Sequence, residues 1–311
     1  MAKSKIKIPV QEVDYRYQKT VSYSQYASYR KCPYQWYLNY IQKKQDFKPS
    51  IYTVFGSSLH EAFQHYLKTM YEISGAEADR LDIASYFKDQ FIEAYKKSIK
   101  DNKGEHFSTP EELKEFYQDG MNILDWFKKR RSRYFSKKGV ELIGIEIPVI
   151  LQANKGRPNV FFRGHIDFVL YDQDLDRYTI YDIKTSTRGW SDYEKKDQTK
   201  LNQIILYKRF FSELTGIPED KIAVEFFIVK RKIFESEEFP IPRIQEFRPA
   251  HGKVKIKQAY EDFIGFINEV FTSDGKYNVD RNYEKKPGKN CDWCSFSGTD
   301  LCDKINVKIE S

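Results

Sequence analysis

Residues 160–186 read VFFRGHIDFVLYDQDLDRYTIYDIKTS, and the reading of this stretch decides the fold. Two apolar runs, 160–171 and 177–184, flank the turn-forming DQDLDR, a pattern that predicts a β-hairpin. Strand side chains alternate, so Ile180, Asp182 and Lys184 share one face and Thr179, Tyr181 and Ile183 the other. Asp167 stands between Ile166 and Phe168 on the first strand, and the hairpin lays that strand beside Asp182. Adjacent carboxylates suit a hard divalent cation, Mg²⁺ or Mn²⁺, held by one or two carboxylates with water and substrate phosphate. Lys184 points into the same site, where an ammonium can stabilise charge on a phosphate or orient a water. The Ile183 carbonyl offers a further oxygen. The competing reading is a solvated edge hairpin with a surface Asp–Lys pair, because D-x-K is a common triplet.

Working outward, 141–151 (ELIGIEIPVIL) and 222–231 (IAVEFFIVKR) also read as strands. A helix over about 197–215, ended by Gly216 and Pro218, lies between the hairpin and the last strand, which predicts a strand–helix–strand crossover. The first half reads as helical. Residues 24–42 open on a serine cap and carry aromatics at helical spacing, with Pro33 at a turn boundary. Residues 57–73 carry Leu59, Phe63, Tyr66, Leu67 and Met70 on one stripe. Helices are also predicted over about 79–100 and over 110–135 after the cap-like STPEEL, and a last one over 253–272. The expected fold class is α/β, with a mixed central sheet flanked by helices, a helical N-terminal elaboration and a C-terminal cysteine cluster. The expected organisation is an extension, 1–21, and one domain, 22–311, comprising a helical part 22–140, an α/β core 141–272 and a cysteine-containing tail 273–311 that packs back on Cys32.

Composition narrows the classes. Of 311 residues, 40% are hydrophobic and 31% charged, the balance of a globular chain rather than a disordered one. No apolar run approaches the roughly 20 residues of a membrane helix. The N-terminal MAKSKIKIPVQEVDY has no apolar signal core, so the expected location is cytoplasmic with no membrane partner. The net charge of +7 is compatible with a polyanion. Aromatics at 16% include residues able to stack on nucleobases, although most must fill the core.

The four cysteines are unevenly spread: Cys32 stands alone, while Cys291, Cys294 and Cys302 fall within CDWCSFSGTDLC. C-x-x-C is metal-ligand spacing, because a tight turn places both thiolates on one ion. Disulfides are not expected in a cytosolic chain. Four unrelated thiols is the alternative.

The ordered set Asp167, Asp182-Ile183-Lys184 and Gln203-Ile-Ile-Leu-Tyr207 resembles the PD-(D/E)XK nuclease superfamily. The resemblance implies a restriction-endonuclease-like core, with Gln203 and Tyr207 on one helix face lining the active site. Its RecB-like branch adds a histidine after a glycine turn, matched here by Gly56 and His60 in FGSSLHEAF; this implies His60 as a metal ligand or its close neighbour. A lone helical histidine is otherwise more often structural. His65 points away on the helix, and Glu146 is only a weak candidate. One far cysteine with a C-terminal trio is similar to the iron–sulfur staple of the AddB, Exonuclease V and CRISPR-associated exonuclease groups. This implies a [4Fe–4S] cluster on Cys32, Cys291, Cys294 and Cys302. Ser22, Ser24 and Tyr29 leading into Cys32 and Pro33 fit those groups too. The seven residues between Cys294 and Cys302 exceed the five the resemblance leads one to expect, so Zn²⁺ on the same thiolates stays open.

The resulting expectation is a Mg²⁺- or Mn²⁺-dependent DNA exonuclease that hydrolyses phosphodiester bonds. It would act from single-stranded ends, in DNA recombination, repair or replication. Asp167, Asp182, the Ile183 carbonyl and His60 would bind metal, and Lys184 would orient or activate the attacking water. Two rivals are a non-catalytic DNA-binding module on a nuclease fold and a subunit that works only with a helicase or recombination protein. No G-x-x-x-x-G-K-[ST] loop occurs in the sequence, so any motor would be separate.

Overall fold

The computed structural model describes residues 6, 8–44, 49–136, 138–234 and 241–303. Residues 1–5 and 7 of the expected extension and 304–311 of the expected tail lie outside the described residues. In chain order the elements are β1 (Lys19–Val21), α1 (Tyr23–Lys31), α2 (Pro33–Tyr40), α3 (Ile51–Glu72), α4 (Gly75–Arg80), α5 (Ile83–Asp101), α6 (Pro110–Arg130), β2 (Val140–Gln152), β3 (Val160–Asp172), β4 (Arg177–Ser186), α7 (Gln198–Thr215), β5 (Ile222–Lys230), β6 (Ile244–Phe247) and α8 (Lys253–Val270). The expected α/β class is what forms: among the described residues, one mixed sheet of six strands, ordered β1-β3-β4-β5-β6 with β2 paired to β3.

The chain divides into two compact units. The first contains 47–147 and 165–256 and holds the hairpin and its crossover. There β3 and β4 are antiparallel, with Phe168 opposite Tyr181 and Val169 opposite Ile180. β5 runs parallel to β4, with Asp182 opposite Phe226 and Lys184 opposite Ile228, so α7 makes the predicted crossover. Asp197 caps α7 by accepting from Thr199 N–H at 2.9 Å, and Gly216 ends it in the left-handed conformation, φ +73°. One sheet face carries Phe168, Leu170, Ile183, Phe227 and Val229 into a core with the apolar stripes of α3, α5 and α6. α7 packs on β4 and β5. α6 starts from a reciprocal capping box: Glu112 N–H donates to Thr109 Oγ1, and Thr109 N–H to Glu112 Oε2.

The second unit contains 10–44, 148–164 and 257–303 among its described residues. β1 runs parallel to the start of β3, with Thr20 opposite Phe161. Its core is aromatic: Trp36, fully buried, meets Tyr29, Phe266, Tyr277 and Tyr283 with ring centroids 5.6–5.8 Å apart. Such edge and tilted pairs add roughly 0.5–1.5 kcal/mol each beyond the area they bury.

Several boundaries differ from the sequence reading. The helix expected over 24–42 is two helices, because Pro33 forces Cys32 into extended backbone, φ −158° and ψ 110°. Ser22, not Ser24, caps the first by accepting from Gln25 N–H. The helix expected over 79–100 breaks at Leu81 and restarts at Ile83 on an Asp82 cap. Gly56 marks no turn; it lies inside α3, where an added Cβ would come within 3.1 Å of Thr185 Oγ1 on β4. The glycine thus permits close approach of helix and strand. The short strands β1 and β6 have no signal beyond their length. No helix among the described residues is long and apolar enough to cross a membrane.

Candidate active site

Adjacent strands and two helices of the first unit bring the predicted residues together. β3 supplies Asp167, and β4 supplies Asp182, Ile183 and Lys184. Asp167 Oδ2 accepts a hydrogen bond from Ile183 N–H at 2.5 Å, so one carboxylate crosses to the neighbouring strand. Lys184 Nζ donates to Asp182 Oδ1 at 3.1 Å and to Gln203 Oε1 of α7 at 3.0 Å. The same ammonium is 2.8 Å from Asp182 Oδ2, but off the hydrogen-bond direction, so that buried oxygen has a close charge and no aligned donor. His60 of α3 places Nδ1 3.8 Å from Asp167 Oδ2. Tyr207, one turn beyond Gln203, hydrogen-bonds to it and to the backbone of His165.

Exposure grades across this group. Side chains are 4% exposed at Asp182, 15% at Asp167, 26% at His60 and 31% at Lys184, so the site opens on the His60–Lys184 side. Burial pushes the Asp167 carboxyl well above the usual range, and the Asp182 charge pushes it further; Lys184 and the Ile183 amide pull the other way. Asp182 is also raised by burial, against the pull of Lys184. Burial works against the Lys184 charge, yet the two aspartates outweigh it and hold its pKa above the ordinary lysine value. His60 is pushed down to about 4 by burial and by the Lys184 charge, so its imidazole is neutral near pH 7.

Two further residues join the group. Gln64, buried, donates from Nε2 to Glu146 Oε1 at 2.5 Å and lies 3.4 Å from the Asp167 carbonyl. Glu146, the weak sequence candidate, adopts a left-handed backbone within β2, φ +48°, and its charge adds to the rise at Asp167. The signal for Gln64 was its i+4 spacing from His60 on one helix face. His65 stacks on Tyr86, 4.4 Å between centroids.

These donors fit a hard cation in their chemistry. Two carboxylates, one with an oxygen lacking an aligned donor, and a neutral imidazole suit Mg²⁺ or Mn²⁺, which retain several waters. Among the described residues, no group of three or more His, Cys, Asp or Glu side chains is drawn together closely enough to hold a metal ion. The cysteines belong to the second unit. Cys32, Cys291, Cys294 and Cys302 line one cavity together with Tyr34, Leu38 and Phe296, all four as free thiols. Cys32 Sγ accepts from Lys286 N–H at 3.4 Å, and Tyr34 Oη donates to the Leu301 carbonyl at 3.1 Å. The Cys302 thiol is pushed up by burial and by its three sulfur neighbours, against the pull of Lys285. Four thiols on one cavity fit a soft-metal centre in donor type, although they too stand short of a closed cage.

A partly buried Asp/Asp/Lys group thus lies on adjacent strands, backed by a helix. The PD-(D/E)XK nuclease superfamily model matches residues 20–302, and the chain belongs to this superfamily. A comparison with curated proteins found no match.

Proposed function

We propose that this protein is a divalent-metal-dependent DNA exonuclease of the RecB-like branch, acting on single-stranded ends in recombination, repair or replication. The observation that carries this reading is Asp167 bonded to the Ile183 N–H of the neighbouring strand, beside the Lys184–Asp182 bond, with one Asp182 oxygen left without an aligned donor. Asp167, Asp182 and the Ile183 carbonyl, with His60, would hold Mg²⁺ or Mn²⁺. Bound there, the cation supplies charge neutralisation at the phosphate and makes water a better nucleophile. Lys184, held by Asp182 and Gln203, presents its ammonium to the scissile phosphate and stabilises charge that develops during in-line attack. Neutral His60 offers a lone pair or a hydrogen bond rather than a second positive charge. The four cysteines would carry a [4Fe–4S] cluster, or Zn²⁺, that ties Cys32 to the C-terminal trio.

The test is degradation of end-labelled single-stranded DNA by anaerobically purified protein, with Mg²⁺ or Mn²⁺ and with chelator, beside Lys184→Ala. Metal-dependent cleavage lost in the variant is expected, and the label reports polarity. Tight DNA binding with no cleavage in any metal would replace this reading with a binding module or a partner-dependent subunit.

A further inference from the structure

Two residues beyond Lys184, β4 ends at Ser186 and the chain enters a loop, 187–197, that is held unusually firmly. Ser186 Oγ donates to the Gly189 carbonyl at 2.9 Å and accepts from Gly189 N–H at 3.2 Å. Gln245 of β6 clamps the Trp190 backbone from both sides, accepting from its N–H at 2.7 Å and donating to its carbonyl at 3.1 Å. The Trp190 ring is buried against Phe226, centroids 4.7 Å apart, with Lys200 Nζ 5.1 Å from its centre. Ser191 and Glu194 exchange backbone-to-side-chain bonds at 3.0 and 3.3 Å.

On this rigid base Tyr193 is 83% exposed. A large exposed aromatic gains when a flat partner covers its apolar face. The same loop carries Lys195, two residues further on, and is crossed by Lys230 of β5. Gly189, at φ +93°, lets the Lys230 chain cross the loop; an added Cβ would meet Lys230 Cε at 3.0 Å. The Lys230 pKa falls through burial and through the nearby charge of Lys195. The acid paired with Lys195 is Asp192, at 3.4 Å and 90% exposed, a pair of small worth in water. Two ammonium groups on a loop that also carries an exposed aromatic suit an anion joined to a flat ring.

We propose that loop 187–197 is a single-strand platform, on which Tyr193 stacks one nucleobase while Lys195 and Lys230 seat its phosphate, feeding the strand toward Lys184. This rests on the nuclease reading of the site. Single-stranded DNA is the fitting occupant because a duplex hides its base faces in the stack.

The experiment uses the full chain in chelator, so that binding is measured without cleavage. The probe is an oligo(dT) strand carrying 5-iododeoxyuridine for photocrosslinking. The crosslink is expected at Tyr193. Tyr193→Ala should weaken binding by roughly 5- to 100-fold, and Tyr193→Phe should restore it. Lys195→Gln and Lys230→Gln should each lower the slope of log affinity against log salt by about 0.7. In metal, Tyr193→Ala should raise KM and leave kcat within about twofold. Crosslinks elsewhere with unchanged affinity in Tyr193→Ala overturn the platform while leaving the nuclease intact. An abasic strand bound as tightly as oligo(dT) overturns the stacking role. Absence of single-strand binding by the wild type in chelator overturns the platform, while the nuclease reading stands or falls on metal-dependent cleavage.

Discussion

Gln203 accepts a hydrogen bond from Lys184 Nζ at 3.0 Å, across 19 residues of sequence and from helix to strand. The bond fixes the ammonium on the open side of the site while Asp182 holds it from below. Gln203→Ala should therefore lower cleavage by roughly 10- to 100-fold without altering the fold, whereas Lys184→Ala should lower it by about 10³-fold or more. Single-turnover rates at saturating DNA check this. If Gln203 acts through Lys184, the double variant will be no slower than Lys184→Ala alone. Additive losses would mean that Gln203 has a separate task.

Asp167 and Asp182 form a buried like-charge pair, and burial raises both. A carboxyl whose folded pKa lies above its unfolded value contributes stability below the unfolded pKa, and that contribution fades as pH rises through the folded pKa. At neutral pH the metal-free protein thus carries a penalty that Asn at 167 would not. Asp167→Asn should raise Tm in chelator by roughly 2–5 °C, and the gap should widen with pH above about 4. Mg²⁺ should raise the wild-type Tm and leave the variant nearly unmoved. A lower Tm for Asp167→Asn in chelator would show that the Ile183 amide bond outweighs the repulsion.

How much was legible follows from the kind of signal each residue carries. Asp182 and Lys184 sit on a strand whose alternation is plain, so their common face could be read from period two, and the DQDLDR turn announced the hairpin that lays Asp167 alongside; the structure bonds Asp167 to Ile183 N–H and Lys184 to Gln203. The crossover was equally plain from the Gly216–Pro218 stop. Gly56 was misread because glycine signals both a turn and a close approach, and only tertiary packing against Thr185 separates them. The break at Cys32 was half visible in Pro33, but a run of aromatics masked it. Glu146 could not be placed from periodicity, because its left-handed backbone breaks the alternation of β2. The strand β6 is four residues long, and its Gln245 works through a side-chain clamp that no pattern announces.

Lys208 lies on α7 beside Tyr207, buried, with its ammonium donating to the His251 carbonyl at 3.2 Å. Burial pushes its pKa down to about 8, against the partial support of Glu219 and Asp220. A lysine depressed in the folded state costs stability while protonated, and the cost disappears as pH rises from about 8 to the unfolded value of 10.5. Lys208→Met should therefore stabilise the protein by about 1–3 kcal/mol at pH 7, and the gain should shrink steadily between pH 8 and 10.5. Paired melts of both proteins at pH 7, 9 and 10 read this difference directly. A gap independent of pH would assign the effect to packing instead of charge.

Cys32 and Cys302 lie at opposite ends of the sequence and line the same cavity as Cys291 and Cys294, with Lys286 N–H on the Cys32 sulfur. A centre on all four thiolates would close a loop of about 260 residues between Cys32 and Cys291, and loop closure of that length restricts the unfolded chain strongly. Cys294→Ser should then lose the metal and stability together, with Tm falling by 5 °C or more. The metal itself is read from anaerobically purified wild type: iron with acid-labile sulfide in equal amounts marks the cluster, and one zinc per chain marks the alternative. The two also part on exposure to air, which degrades an iron–sulfur centre and leaves a zinc thiolate site largely intact. A Cys294→Ser protein that melts with wild type, from a preparation free of both metals, would reduce the cysteines to four packed thiols and leave the Asp167–Asp182–Lys184 site to be judged on its own.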